Sequence, residues 1–185
     1  MPKSAFPLLQ KALLFAAKAH EGQDRDGDPP LPYITHPVDV VIRLRYVGQV
    51  SEEAILCAGA LHDVVEEAEI SFGKIEETFG KTVARLVREL TREELSKEQK
   101  ATMTKEEVWA ERTRRLVEEI TKMSPQAMTV KLADRLSNLS EAMLTRTGEF
   151  LDRYLKQSEL ILQAIPRETN PGLWDAVQSL CAKDA

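Results

Sequence analysis

The stretch from Ala54 to Leu61, AILCAGAL, constrains the fold most. Ser51 stands before it as a cap, and Glu52 and Glu53 occupy what would be the positive first turn of a helix. A helix that is apolar on all sides must be surrounded by other elements. It is far shorter than the ~20 residues a membrane span needs. The chain therefore needs enough further helix or sheet to wrap a central rod, and the pair His62-Asp63 falls at the rod's end.

The remaining punctuation is helical. Ser4 is placed to cap a first helix with Pro7 in its first turn, and Leu9, Leu13, Ala16, Ala17 and His20 follow one helix face. Gln23 to Thr35 is rich in proline and reads as a loop. Pro37 suits the first position of a second helix that Gly48 ends. Ser71 and Gly80 bracket a short helix, and Val83, Leu86, Val87 and Leu90 mark the next. Thr91 to Thr104 reads as an exposed, mobile connection. Thr104 and Glu107 then form a capping-box pattern for a helix through Ile120. Ser124-Pro125 opens a helix carrying Asp134, with Met128, Leu132, Leu139 and Met143 on its core side. Further helices run from Glu149 to Ile165 and from Asn170-Pro171 onward. No segment alternates as a strand, so the expectation is one all-α helical bundle over residues 1–185.

Composition fits a globular chain: 43% hydrophobic and 30% charged residues among 185. The formal net charge of -5 disfavours nucleic acid and anionic membrane as partners, so a polyanionic ligand needs local basic groups or a bound cation. The start of the chain lacks a signal-peptide pattern, and the two cysteines, Cys57 and Cys181, imply no disulfide framework. A cytoplasmic location is the expectation. The sequence pattern specifies no oligomeric state.

Three histidines are present: His20, His36 and His62. Polar groups at the end of a buried helix are costly unless paired or coordinated. His36 lies where the proline-rich loop meets a helix, and Asp134 interrupts the apolar stretch Val130 to Leu136 beside Lys131 and Arg135. Two imidazoles and two carboxylates suit a divalent ion with open positions, such as Mn²⁺, Fe²⁺ or Zn²⁺. Taken singly, His62 and Asp63 could equally cap a helix end, and Asp134 could merely pair with Arg135 or Lys131.

Four stretches occur in order: AAKAHEGQDR, PYITHP, GALHDVVEE and KLADRLSN. Together they resemble the HD hydrolase domain of the RelA/SpoT family and its small alarmone hydrolases, from about Phe15 to Ser140 and more weakly to Ile165. The resemblance implies a Mn²⁺ ion held by His36, His62, Asp63 and Asp134. It places the acidic pair that acts on the attacking water at Glu66 and Glu67. Four residues on from His62, Glu66 would share its helix face. Arg25 would lie over the base or reach a phosphate, Asn138 would hold the sugar or base, and Tyr154 would close the pocket. His20 reads as a structural or supporting group and not as a ligand.

The implied activity is metal-dependent removal of the 3′-pyrophosphate of (p)ppGpp, a small-molecule nucleotide, leaving GDP or GTP. Alternatives are (p)ppApp or NADPH as substrate, or a non-catalytic nucleotide-binding regulator. Several positions depart from the family pattern: Glu67 where Asp is usual, Ala68 for Thr, Asp26 after Arg25, Ser137 before Asn138, and Ser140 and Glu141 beyond it. These changes leave the metal set whole and make the nucleotide pocket less basic, so recognition of the phosphates would lean on the metal and Arg25.

Overall fold

A computed structural model describes residues 6–25 and 29–182. Among the described residues eleven α-helices form a bundle, and the only strand-like feature is an isolated bridge between Asp24 and Pro32. Helices α1 (Pro7–Ala19), α2 (Thr35–Tyr46) and α3 (Glu53–Leu61) open the chain. Next come α4 (Val64–Ala68), α5 (Phe72–Phe79) and α6 (Lys81–Leu90). The second half holds α7 (Lys97–Ala101), α8 (Lys105–Ile120), α9 (Pro125–Thr145), α10 (Glu149–Ala164) and α11 (Pro171–Cys181). No helix is long and apolar enough to cross a membrane among the described residues.

The apolar rod is central. Every residue of α3 from Ile55 to Leu61 is buried, and α1, α2, α6 and α9 pack around it. Each large side chain sealed in this way, such as Leu56 or Leu61, contributes about 1.5–3 kcal/mol. Gly59 has a packing reason to lack a side chain: a Cβ there would stand 2.5 Å from Leu44 Cδ1 of α2. The long helix α9 lies against α2, α3, α6, α10 and α11 and forms the second spine of the bundle.

Helix ends follow local chemistry, with informative exceptions. Ser71, Thr104, Ser124 and Asn170 cap their helices through their side chains as their positions imply. Ser51 does not: Glu52 is the N-cap of α3, with no side-chain cap bond. Glu53 instead reaches across to α1, where its carboxylate accepts from the backbone N–H of Leu8 at 2.6 Å and of Leu9 at 3.0 Å. The orphan donors at the start of α1 are thus satisfied from another helix; Ser4 lies outside the described residues. Pro37 is the third residue of α2 and not the first. The stretch from Thr91 to Thr104 is more ordered than its polarity implies. Ser96 and Gln99 form a capping box for α7, and Leu95 is buried.

The most consequential departure is at the end of α3. The helix stops at Leu61, His62 and Asp63 form the turn, and α4 starts at Val64. Glu66 and Glu67 therefore lie in the first turn of a new helix, where its dipole favours them, and not along the face of α3 that carries His62.

Candidate active site

Three helix ends and one helix middle bring the candidate ligands together. His36 is the second residue of α2, His62 and Asp63 make the α3–α4 turn, and Asp134 sits midway along α9. All three of His36, His62 and Asp134 are buried, and one donor atom from each lies within 4.8 Å of the others. His36 Nε2 is 3.2 Å from His62 Nε2 and 3.3 Å from Asp134 Oδ1. Asp63 comes in from the turn: Oδ1 is 3.1 Å from His62 Nε2 and Oδ2 is 3.5 Å from His36 Nε2.

The donor chemistry fits a divalent ion. Ligands bound at 2.0–2.2 Å around one ion stand about 3–3.5 Å from each other, which is the spacing found here. His62 Nδ1 is 2.8 Å from the Gly59 carbonyl, which can only accept, so Nδ1 carries the proton and Nε2 faces the cluster. His36 Nδ1 is likewise engaged, 3.1 Å from Ser137 Oγ, which turns its Nε2 to the same point. Burial alone would lower the pKa of His62, but the Asp63 and Asp134 carboxylates outweigh it and raise it to about 10. Burial would conversely raise Asp63 and Asp134. The two imidazoles, with Lys131 at Asp134, hold both well below the usual carboxylate range. This concentration of negative charge around two aligned imidazole nitrogens is what a bound cation would neutralise.

Side chains behind the cluster hold it in place. Tyr33 donates its hydroxyl to Asp63 Oδ2 at 2.8 Å. The Tyr33 ring stacks on the buried His20 ring, with centroids 4.6 Å apart, and His20 Nδ1 lies 2.8 Å from Gln23 Oε1. Gln23 in turn donates to the Glu67 carbonyl at 2.7 Å, tying the loop to α4. On α9, Lys131 Nζ donates to Asp134 Oδ2 at 3.0 Å, and Asn138 Nδ2 donates to Oδ1 at 2.6 Å.

The cluster opens into a cavity of about 690 Å³ whose lining includes Tyr33, His36, Asp63, Glu66, Glu67 and Asp134. That volume suits a nucleotide-sized ligand. Glu66 is clamped by Arg92, its carboxylate accepting from the Arg92 backbone N–H at 2.7 Å and from the guanidinium at 3.3 Å. Among the described residues the Glu67 carboxylate has no such clamp. Burial, reinforced by Asp63 and Glu66, raises its pKa above the ordinary glutamate value, which suits a group that takes and returns a proton.

The expected nucleotide contacts also line the cavity, but two of them are engaged with each other. Arg25 Nε donates to Glu141 Oε1 at 3.1 Å, and its Nη2 pairs with Glu141 Oε2 as well. The same Nη2 donates to Asn138 Oδ1 at 3.3 Å. A continuous chain runs from Glu141 through Arg25 and Asn138 to Asp134. Tyr154 of α10 borders the cavity with the Arg135 and Arg146 guanidiniums 5.6 and 5.2 Å from its ring centre. Asp26 lies outside the described residues.

Sequence reasoning did not single out Tyr33, Arg92 or Arg146, and it named Arg135 only as a possible partner of Asp134, a place that Lys131 takes. The tyrosine sits inside the quoted PYITHP stretch, three residues before His36, so one turn of local geometry could have marked it. Arg92 begins the polar connection after α6 and reaches the site only through tertiary packing against α4.

The HD domain family model matches residues 12–150. Among curated relatives, the zebrafish (Danio rerio) guanosine-3′,5′-bis(diphosphate) 3′-pyrophosphohydrolase MESH1 is 33% identical over 180 residues, covering 96% of this chain and 94% of the relative. The human MESH1 is 37% identical over 133 residues, 72% of this chain and 68% of the relative. A solved structure described as a metazoan ortholog of SpoT that hydrolyzes ppGpp superimposes with a TM-score of 0.83 at 30% identity. It covers 97% of this chain and 96% of that one. The match takes in His36, both residues of the α3–α4 turn and Asp134, and the chain belongs to the HD domain family.

Proposed function

We propose that this protein is a single-domain, metal-dependent nucleotide phosphohydrolase that removes the 3′-pyrophosphate of (p)ppGpp, with Mn²⁺ at His36, His62, Asp63 and Asp134. The observation that carries this reading is the convergence of the His/Asp cluster and the Glu66–Glu67 pair on one nucleotide-sized cavity. Similarity to ppGpp hydrolases over nearly the whole chain supports the substrate class.

When bound, the divalent ion supplies polarisation of a phosphoryl oxygen and activation of water. The protein's own groups do the rest. Asp63, held by Tyr33, and Asp134, held by Lys131 and Asn138, keep their carboxylates aimed at one point. Glu67 accepts the proton released as water attacks phosphorus and returns it to the 3′-oxygen as the P–O bond to the ribose breaks, and Glu66, fixed by Arg92, orients that water. Arginines on the cavity wall neutralise the phosphates. Both cysteines are free and buried, which suits a reducing, cytoplasmic setting.

The pairing of Arg25 with Glu141 favours a second reading for the base, because the guanidinium that would stack on it is already held by a carboxylate. A relaxed base preference, admitting (p)ppApp or NADPH, follows. The test is a Mn²⁺-supplemented assay across ppGpp, ppApp and NADPH with product identification. Cleavage of ppGpp to GDP and pyrophosphate supports the proposal. Binding without product from any of the three would mark a nucleotide sensor instead.

A further inference from the structure

Arg25 and Glu141 both line the cavity, and the hydrogen bonds that leave their ion pair lead to Asp134. Glu141 accepts from Arg25 Nε at 3.1 Å through Oε1 and pairs with Nη2 through Oε2, so both of its oxygens act on one guanidinium. A two-point hold of this kind fixes the plane of the guanidinium. The same Nη2 donates to Asn138 Oδ1 at 3.3 Å, and Asn138 Nδ2 donates to Asp134 Oδ1 at 2.6 Å. Oδ1 is the Asp134 oxygen that faces the cluster, 3.3 Å from His36 Nε2 and 3.7 Å from His62 Nε2. The chain therefore ends on the oxygen that would meet a bound ion, while Lys131 holds Oδ2.

Asn138 fits this chain only one way round. A guanidinium can only donate and an ionised carboxylate can only accept, so the amide turns its oxygen to Arg25 and its nitrogen to Asp134. Asp134 is ionised, its pKa held well below the usual carboxylate range against burial by Lys131 and the two imidazoles. Asp134, Asn138 and Glu141 follow one another at i, i+4 and i+7 and so share a face of α9, whereas Arg25 comes from the segment between α1 and α2. The Arg25 and Glu141 side chains are only 15% and 30% exposed, so their pairing is weakly screened. The two residues that would meet a base or sugar are thus already engaged, and what they hold is a metal ligand.

We propose that Glu141 and Arg25 are positioning residues of the metal centre: Glu141 fixes the Arg25 guanidinium, and Arg25 holds the Asn138 amide in the orientation that aims Asp134 Oδ1 at the two histidines. This rests on the His/Asp cluster binding a divalent ion, as proposed above. The proposal has a consequence that charge alone would not produce. A positive side chain near a cation site weakens cation binding by Coulomb repulsion, so its removal should tighten the metal. Through the relay Arg25 acts in the opposite sense, and its removal should loosen the metal.

The test measures the affinity of the protein for Mn²⁺ alone, without nucleotide, by chelator competition, in wild type, Arg25→Met, Glu141→Gln and the double variant. Methionine keeps much of the apolar stem of Arg25, glutamine keeps the shape of Glu141, and the thermal midpoint of each metal-free protein checks the fold. Arg25→Met should weaken Mn²⁺ binding about tenfold, the lower end of the loss usual when a supporting partner is removed. Glu141→Gln, one link further out, should weaken it roughly threefold, and the double variant should lose no more than Arg25→Met, because both changes break one chain. Binding that is unchanged or tighter in Arg25→Met, or unchanged in Glu141→Gln, overturns the relay and leaves the metal site standing. A double variant restored to wild-type affinity would likewise overturn it, since cancelling charges would then explain both single effects. No Mn²⁺ binding by wild type would overturn the metal reading, and the relay with it.

Discussion

The Tyr33 hydroxyl donates to Asp63 Oδ2 at 2.8 Å, so a residue on the loop before α2 sets the angle of a carboxylate on the turn after α3. The link works because the Tyr33 ring is clamped on buried His20, leaving the hydroxyl little freedom. Supporting groups of this kind commonly govern how tightly a metal is held.

Tyr33→Phe removes the hydrogen bond and leaves the ring stack. Metal affinity should fall about 10–100-fold, the usual effect of losing such a partner. A competitive chelator titration measures it, with the thermal unfolding midpoint as the control for fold. An unchanged dissociation constant would show that Asp63 is aimed without help.

Metal affinity should also depend on pH in one direction. In the metal-free protein His62 keeps its proton up to about pH 10, whereas in an unfolded chain an imbalance of this kind disappears and the ring titrates at 6.5. The raised value means that protonated His62 stabilises the metal-free fold fully below 6.5, and that this stabilisation is lost as pH rises through about 10. A metal must displace that proton, so affinity should climb with pH across the neutral range, by up to about tenfold per unit for one proton released. Calorimetry in buffers of different ionisation enthalpy counts the protons. Flat affinity with no proton release would contradict the geometry.

The two glutamates should separate in their effects. Glu67→Gln should leave metal occupancy nearly unchanged while turnover drops ~10²–10⁴-fold, the usual range for a general base. Glu66→Gln should also lower turnover and, in addition, weaken the hold on Arg92, read as faster amide exchange at the start of the α6–α7 connection. Near-normal turnover in the double variant would reduce both carboxylates to a charged helix start.

A fourth expectation concerns the closure of the bundle. A Cβ on Gly172 would stand 2.5 Å from the Val47 carbonyl oxygen, a backbone atom that cannot swing aside. Gly172→Ala should destabilise the protein by about 1–3 kcal/mol through overpacking. Chemical denaturation reads the change, and a stability equal to wild type would mean that the start of α11 shifts freely against the turn at Val47.

The helices were largely readable because their signals are local. Caps at Ser71, Thr104, Ser124 and Asn170 lie next to the turns they begin. Ser51 misled because the competing acceptor, Glu53, serves α1 from across the bundle, a relation no local pattern carries. The break after Leu61 was missed because His62 and Asp63 have near-helical backbones, and their turn is held by a ring bond from His62 to the Gly59 carbonyl and by a tertiary bond from Tyr33 to Asp63. In the site, the meeting of His36, His62, Asp63 and Asp134 at one point was legible from motif order. The partners of Arg25 were not, since Glu141 meets it across more than a hundred residues of chain.

The most direct test is the fate of ppGpp incubated with the Mn²⁺-loaded protein, followed by phosphorus NMR of the products. The predicted result is GDP and inorganic pyrophosphate, in amounts abolished both by a chelator and by His62→Ala. Intact ppGpp, or equal turnover in the chelated protein and in His62→Ala, would contradict it.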